Sequence, residues 1–151
     1  MNNKEYVLST MEKYGTDMAL NLQSKADTMT GTELYAEEEA IPDFVAAVVN
    51  KNMMERDIGF VCKSSEGRVV KLLQNYDSTV HTEEPEELVS LWGFKWSTDP
   101  QKALPFVEIS TSPYMIDDCC TFEGKIYKSV IDNNVHSPVD YAAGWEEVLI
   151  I

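Results

Sequence analysis

One short pattern occurs twice in this chain, and it constrains the fold more than any other feature. Glu66-Gly67-Arg68-Val69-Val70-Lys71 and Glu123-Gly124-Lys125-Ile126-Tyr127-Lys128 share the order acidic, Gly, basic, apolar, apolar or aromatic, Lys. A short apolar stretch with cysteine precedes each copy, Ile58-Gly59-Phe60-Val61-Cys62 and Met115-Ile116-Asp117-Asp118-Cys119-Cys120. Each copy closes with a Pro followed, after a short spacer, by a Trp: Pro85 to Trp92 and Pro138 to Trp145. The openings Ala40-Ile41-Pro42-Asp43-Phe44 and Ala103-Leu104-Pro105-Phe106 also correspond. A period of roughly 50–60 residues is long for a stacked solenoid and suits two small domains in series.

The repeated segments read as strands. Val69-Val70-Lys71-Leu72-Leu73 and Ile126-Tyr127-Lys128-Ser129-Val130-Ile131 are rich in β-formers. Gly67 and Gly124 fall at turns between an incoming and an outgoing strand, which predicts a hairpin in each copy. Asn75-Tyr76-Asp77-Ser78 and Asp132-Asn133-Asn134 are loop-formers after each second strand. Val45-Ala46-Ala47-Val48-Val49 suits either a strand or a helix.

Ahead of the repeat, Val7, Met11, Tyr14, Met18 and Leu22 recur every three or four residues, predicting a helix over about 3–26 with one apolar face. That face could pack on the modules or pair with other chains as a short coiled coil. Thr30 with Glu33 three residues on predicts a capped start for a short helix through Leu34, Ala36 and Ala40. The expected fold class is α+β, mainly β: an N-terminal helical segment (1–40), a first β module (41–92), a linker (93–103) anchored by Trp96, and a second module of the same type (104–151). Modules of about 50 residues bury little apolar surface, so each should lean on its neighbour, on the helix or on another subunit.

Charge narrows the function classes. With 26 acidic and 12 basic residues the formal charge is −14, which disfavours binding to nucleic acid or anionic lipid. No apolar run approaches the ~20 residues that span a membrane, and the N-terminus lacks the basic start and apolar core of a secretory signal. Cys62, Cys119 and Cys120 are an odd set that fits no closed disulfide framework, and Cys62 and Cys120 read as small buried residues at matching places. The cysteines lack the CxxC spacing and His partners of a metal site, and the Asp132-Asn133-Asn134 loop lacks calcium-loop spacing, so no metal or other cofactor is expected. No nucleophile–base arrangement, phosphate loop or zincin helix is present in the sequence, so catalysis is not expected.

The stretch Tyr114 to Ser129, continued through Val130-Ile131-Asp132-Asn133-Asn134-Val135-His136-Ser137-Pro138 to Gly144-Trp145, resembles the small chitin-binding carbohydrate-binding modules of families 5 and 12, in the version carried by phage and prophage tail proteins. The first copy resembles it more loosely, chiefly from Leu73-Gln74-Asn75-Tyr76 through Pro85 to Leu91-Trp92. The chain departs from the family pattern where an aromatic stands two residues before the Pro: these positions hold Glu83 and His136. The resemblance implies a virion tail or baseplate structural protein whose modules dock on other tail proteins, with no enzyme activity. It would be a homo-oligomer made in the host cytoplasm without a signal peptide. The alternative it implies is an adhesin for cell-wall or chitin-like glycan.

A sugar is held by an aromatic ring laid flat on its C–H face, with polar groups at the edge. The candidates for such a surface are Phe106, Tyr127, His136, Tyr141 and Trp145 in the second module and Tyr76 and Trp92 in the first. Trp92 and Trp145 lie in apolar surroundings that favour the core, as does Tyr127 within its strand. Phe106, Tyr141 and the loop residue Tyr76 are the better candidates for exposure, while His136 could stack weakly or stay solvated.

Overall fold

The computed structural model describes residues 3–150, with the side chains of residues 8–11 outside the description. Helix α1 (Asn3–Lys25) is followed by α2 (Gly31–Ala36) and α3 (Phe44–Asn50). Strands β1 (Val61–Lys63), β2 (Val69–Leu72) and β3 (Trp92–Phe94) form one antiparallel sheet in that order. Strands β4 (Leu104–Pro105), β5 (Cys119–Phe122), β6 (Lys125–Ser129) and β7 (Trp145–Val148) form the second, in which β4 alone runs parallel to its neighbour. An N-terminal helix and two small sheets make the chain α+β. Among the described residues more lie in the three α-helices than in the seven strands, so the expectation of a mainly β protein is corrected. The strands are short because turn-formers such as Gly67, Asn75 and Asp132 cut each β-rich run.

Register explains why the first sheet has apolar residues in succession. Cys62, Val70 and Phe94 are cross-strand partners, as are Leu72 and Trp92, and this face looks into the main core. Val61 and Val69 point the other way, onto Leu22, Ala26, Leu34, Tyr35 and Ile41 of the helical segment. The sheet is covered on both faces, so its central strand is apolar without strict alternation.

The helical layer is fastened by side chains. Gln23 of α1 uses both ends of its amide on Val61, accepting from the Val61 N–H (2.9 Å) and donating to the Val61 carbonyl (2.7 Å). It thereby satisfies an edge strand that would otherwise present open backbone. Tyr35 of α2 places its hydroxyl at the end of the β2–β3 ladder, accepting from Val69 N–H (3.0 Å) and donating to the Lys95 carbonyl (2.8 Å). Thr30 and Glu33 form the expected capping box. Gly31 opens α2 directly against the Trp96 carbonyl, where an added Cβ would sit 2.0 Å from that oxygen. The ambiguous Val45–Val49 run is helical: Phe44 and Ala47 are buried at helical spacing, while Val45 and Val49 face solvent.

The span 93–103, expected as a linker, begins inside β3, so the 92/93 boundary falls within a strand. Trp96 is anchored as expected, with Nε1 donating to the Ser112 carbonyl at 2.9 Å. It also stacks between Phe94 (6.0 Å) and Tyr114 (4.3 Å), and Tyr114 stacks on Phe106 (5.5 Å). This column of rings carries one continuous core from Phe44 and Trp92 to Cys120 and Trp145. Arg68 adds a polar tie: its buried guanidinium pairs with Glu66, lies 3.8 Å from Glu86, and donates from Nη2 to the Pro105 carbonyl of β4 (2.7 Å).

Candidate functional site

In the second sheet the β5–β6 hairpin and β7 set up a loop over 130–144, and Asn134 holds that loop together. Asn134 is fully buried, and its backbone exchanges two hydrogen bonds with Tyr114. Its side-chain N–H groups donate to Ser129 Oγ and to the Gly144 carbonyl, both at 3.1 Å, while its Oδ1 accepts from His136 N–H at 3.2 Å. The buried amide ties Ser129, His136 and Gly144 to one point and so fixes the path on which His136 and Tyr141 stand.

His136 and Tyr141 meet edge to face, ring centres 5.9 Å apart at 83°, and Tyr141 is 43% exposed. Beneath them Trp145 is 8% exposed and donates from Nε1 to the His136 carbonyl (2.8 Å). Phe106 is half-buried, packed edge-on to Trp145 (6.1 Å) and Phe122 (6.3 Å). Tyr127 is half-buried and packs against the core. Five of the seven candidates thus belong to one end of the molecule. They do not form a flat strip, since the two most open rings are nearly perpendicular.

The other two lie elsewhere. Trp92 is fully buried, edge-on to Phe44 and Tyr76, and its Nε1 donates to the Tyr76 hydroxyl at 3.1 Å. Tyr76, expected to be the open ring of the first copy, is only 5% exposed. Its loop carries the ring inward to meet the one polar atom of Trp92, which a core must satisfy. Burial, the main cause, raises the Tyr76 hydroxyl pKa.

The acidic side chains near the candidate loop serve turns. Asp118 accepts from Met115 N–H (2.8 Å) and Asp132 from Ile116 N–H (3.0 Å). Among the described residues no group of three or more His, Cys, Asp or Glu could hold a metal ion, and no helix is long and apolar enough to cross a membrane. The cysteines are buried and unpaired, and burial pushes the Cys119 thiol to about 11 and that of Cys120 to about 12. Comparison with models of known families, with curated proteins and with solved structures finds no match for this chain.

Sequence reasoning missed Asn134, Ser129 and Arg68 as organisers. Asn134 sits in an Asn-rich loop that reads only as a turn. Arg68 occupies the same place in the repeat as Lys125, yet Arg68 is buried and Lys125 is exposed.

Proposed function

We propose that this chain acts by contact rather than by catalysis, as a structural or assembly subunit of a phage or prophage tail, near the baseplate or fibre region. The resemblance of residues 114–145 to tail-borne carbohydrate-binding modules supplies the tail assignment. In this reading the two sheets are copies of one module. Each holds a hairpin followed by a third antiparallel strand that opens on a Trp, Trp92 in β3 and Trp145 in β7. The modules dock on neighbouring virion proteins and require no cofactor.

The observation that carries assembly over sugar binding is the fate of the rings. Tyr76, Trp92 and Trp145 are buried, Phe106 and Tyr127 are half-buried, and the open pair His136–Tyr141 is not coplanar. A chain of sugars needs two or more rings exposed side by side along one surface. The strongly exposed Tyr141 beside His136 favours the second reading, an adhesin with a small glycan contact at this end.

Two measurements test the proposal. Particles purified from the source strain after prophage induction are probed with an antibody against the chain, and its presence in the particle fraction is expected. Absence from intact particles removes the tail reading. The purified chain is also passed over chitin and host cell walls, beside a Tyr141→Ala/His136→Ala variant. Saturable binding by the parent that the variant lacks replaces the assembly reading with the adhesin.

A further inference from the structure

We infer that α1 is a self-association surface, through which two copies of this chain pair antiparallel along the face bearing Val7, Tyr14 and Met18. The inference does not depend on the tail reading. Helix α1 has 23 residues, and at 1.5 Å per residue it is about 35 Å long. Among its described side chains, contact with the body is concentrated at its C-terminal end, where Leu22 is buried and Gln23 clasps Val61. On the face that continues from Leu22, Met18 is 43%, Tyr14 68% and Val7 53% exposed. A solitary helix of ~12–15 residues is marginal in water, and Gly15 weakens this one further. The projecting part of α1 therefore needs a partner.

Charge selects the partner. Lys4, Lys13 and Lys25 balance Glu5, Glu12 and Asp17, so α1 is neutral, and the whole −14 surplus lies on the rest of the chain. Two copies repel one another through their bodies and meet without net repulsion along α1. Charge also selects the direction. Parallel helices would hold the two acidic bodies side by side, whereas antiparallel helices hold them at opposite ends.

The exposed face runs into a groove of about 290 Å³ between α1 and the segment 36–40, lined by Met18, Leu22, Ala36 and Glu37 to Glu39. Lys25 pairs with Glu37 (3.6 Å) and Lys102 with Glu38 (2.8 Å), so Glu39 carries the excess negative charge there. With Val7 of one copy opposite Met18 of the other, Lys4 and the positive end of each helix arrive at the partner's acid-lined groove. The Tyr14 rings then flank the twofold axis.

Light scattering across a dilution series of the full chain tests the state. A mass twice the 17.1 kDa of one chain is expected, falling to one chain mass in Tyr14→Glu. Tyr14 is exposed, so the near-UV signal of the buried Trp residues should be unchanged in that variant. Direction is read by oxidising Val7→Cys and Met18→Cys proteins, separately and mixed, the native cysteines being buried. Cross-linking in the mixture but in neither protein alone is expected. A single-chain mass at every concentration, a threefold mass, or Val7→Cys cross-linking to itself would each overturn the inference.

Discussion

Asp77 shows how a single residue closes a fold with few regular elements. Its Oδ1 accepts from the Thr79 hydroxyl (2.6 Å), the Asn52 amide (3.0 Å) and the Thr79 N–H (3.0 Å). These bonds, that of the Thr79 hydroxyl foremost, lower its pKa from the ordinary 3.8 to about 2. Because the folded pKa is depressed, the stabilisation is fully present above the unfolded value of 3.8. It is lost as pH falls from there through about 2. Urea denaturation followed into acid should show stability falling through that window, with a shallower fall in Asp77→Asn. An identical acid profile in the variant would mean that other carboxylates carry the effect. Asp77 reads as a loop-former in the sequence, and only the fold shows that it clips its loop to the distant Asn52.

At the scale of elements, the two hairpins share a motif and differ in their turns. In the first, Ser64 N–H donates to the Arg68 carbonyl and Gly67 N–H to the Ser64 carbonyl, both at 2.8 Å, so that Gly67 alone takes positive φ (+91°) in a three-residue loop. In the second, Glu123 (φ +49°) and Gly124 (φ +79°) form a two-residue loop between Phe122 and Lys125. Such loops favour Asn at the first position, and a side chain other than Asn or Asp held left-handed costs about 1 kcal/mol. Glu123 is exposed, so Glu123→Asn should stabilise the protein by ~1 kcal/mol, read as a higher urea midpoint. Glu66→Asn should give no such gain, and equal effects at both sites would show that the turns are alike. The Glu-Gly pair in the sequence announces both turns. The loop lengths follow from strand register, which cross-strand packing sets.

At the scale of the molecule, the ring column from Phe94 through Trp96 and Tyr114 to Phe106 makes the two sheets dependent on one core. Arg68 reinforces that dependence by bonding to Pro105 from the other sheet. A fragment of residues 104–151 leaves behind Phe94, Trp96 and Arg68, and with them one wall of its core. It should be unfolded alone, with narrow amide dispersion in its NMR spectrum and no near-UV circular dichroism. A well-dispersed spectrum would show that the second module is self-sufficient.

The sequence by itself determined the local structure: the long N-terminal helix, the Thr30–Glu33 cap and the two Gly turns. Each of these depends on neighbours within a few residues, where periodicity and turn chemistry act. The tertiary structure decided which aromatic faced water and which repeat residue was buried. Tyr76 turned inward because Trp92 needed an acceptor, and Arg68 was buried because its guanidinium reached the Pro105 carbonyl of β4 beside Glu66 and Glu86, while Lys125 at the same place in the repeat stayed open. Such choices rest on contacts between residues far apart in sequence, and a repeated pattern that is identical locally carries no record of them.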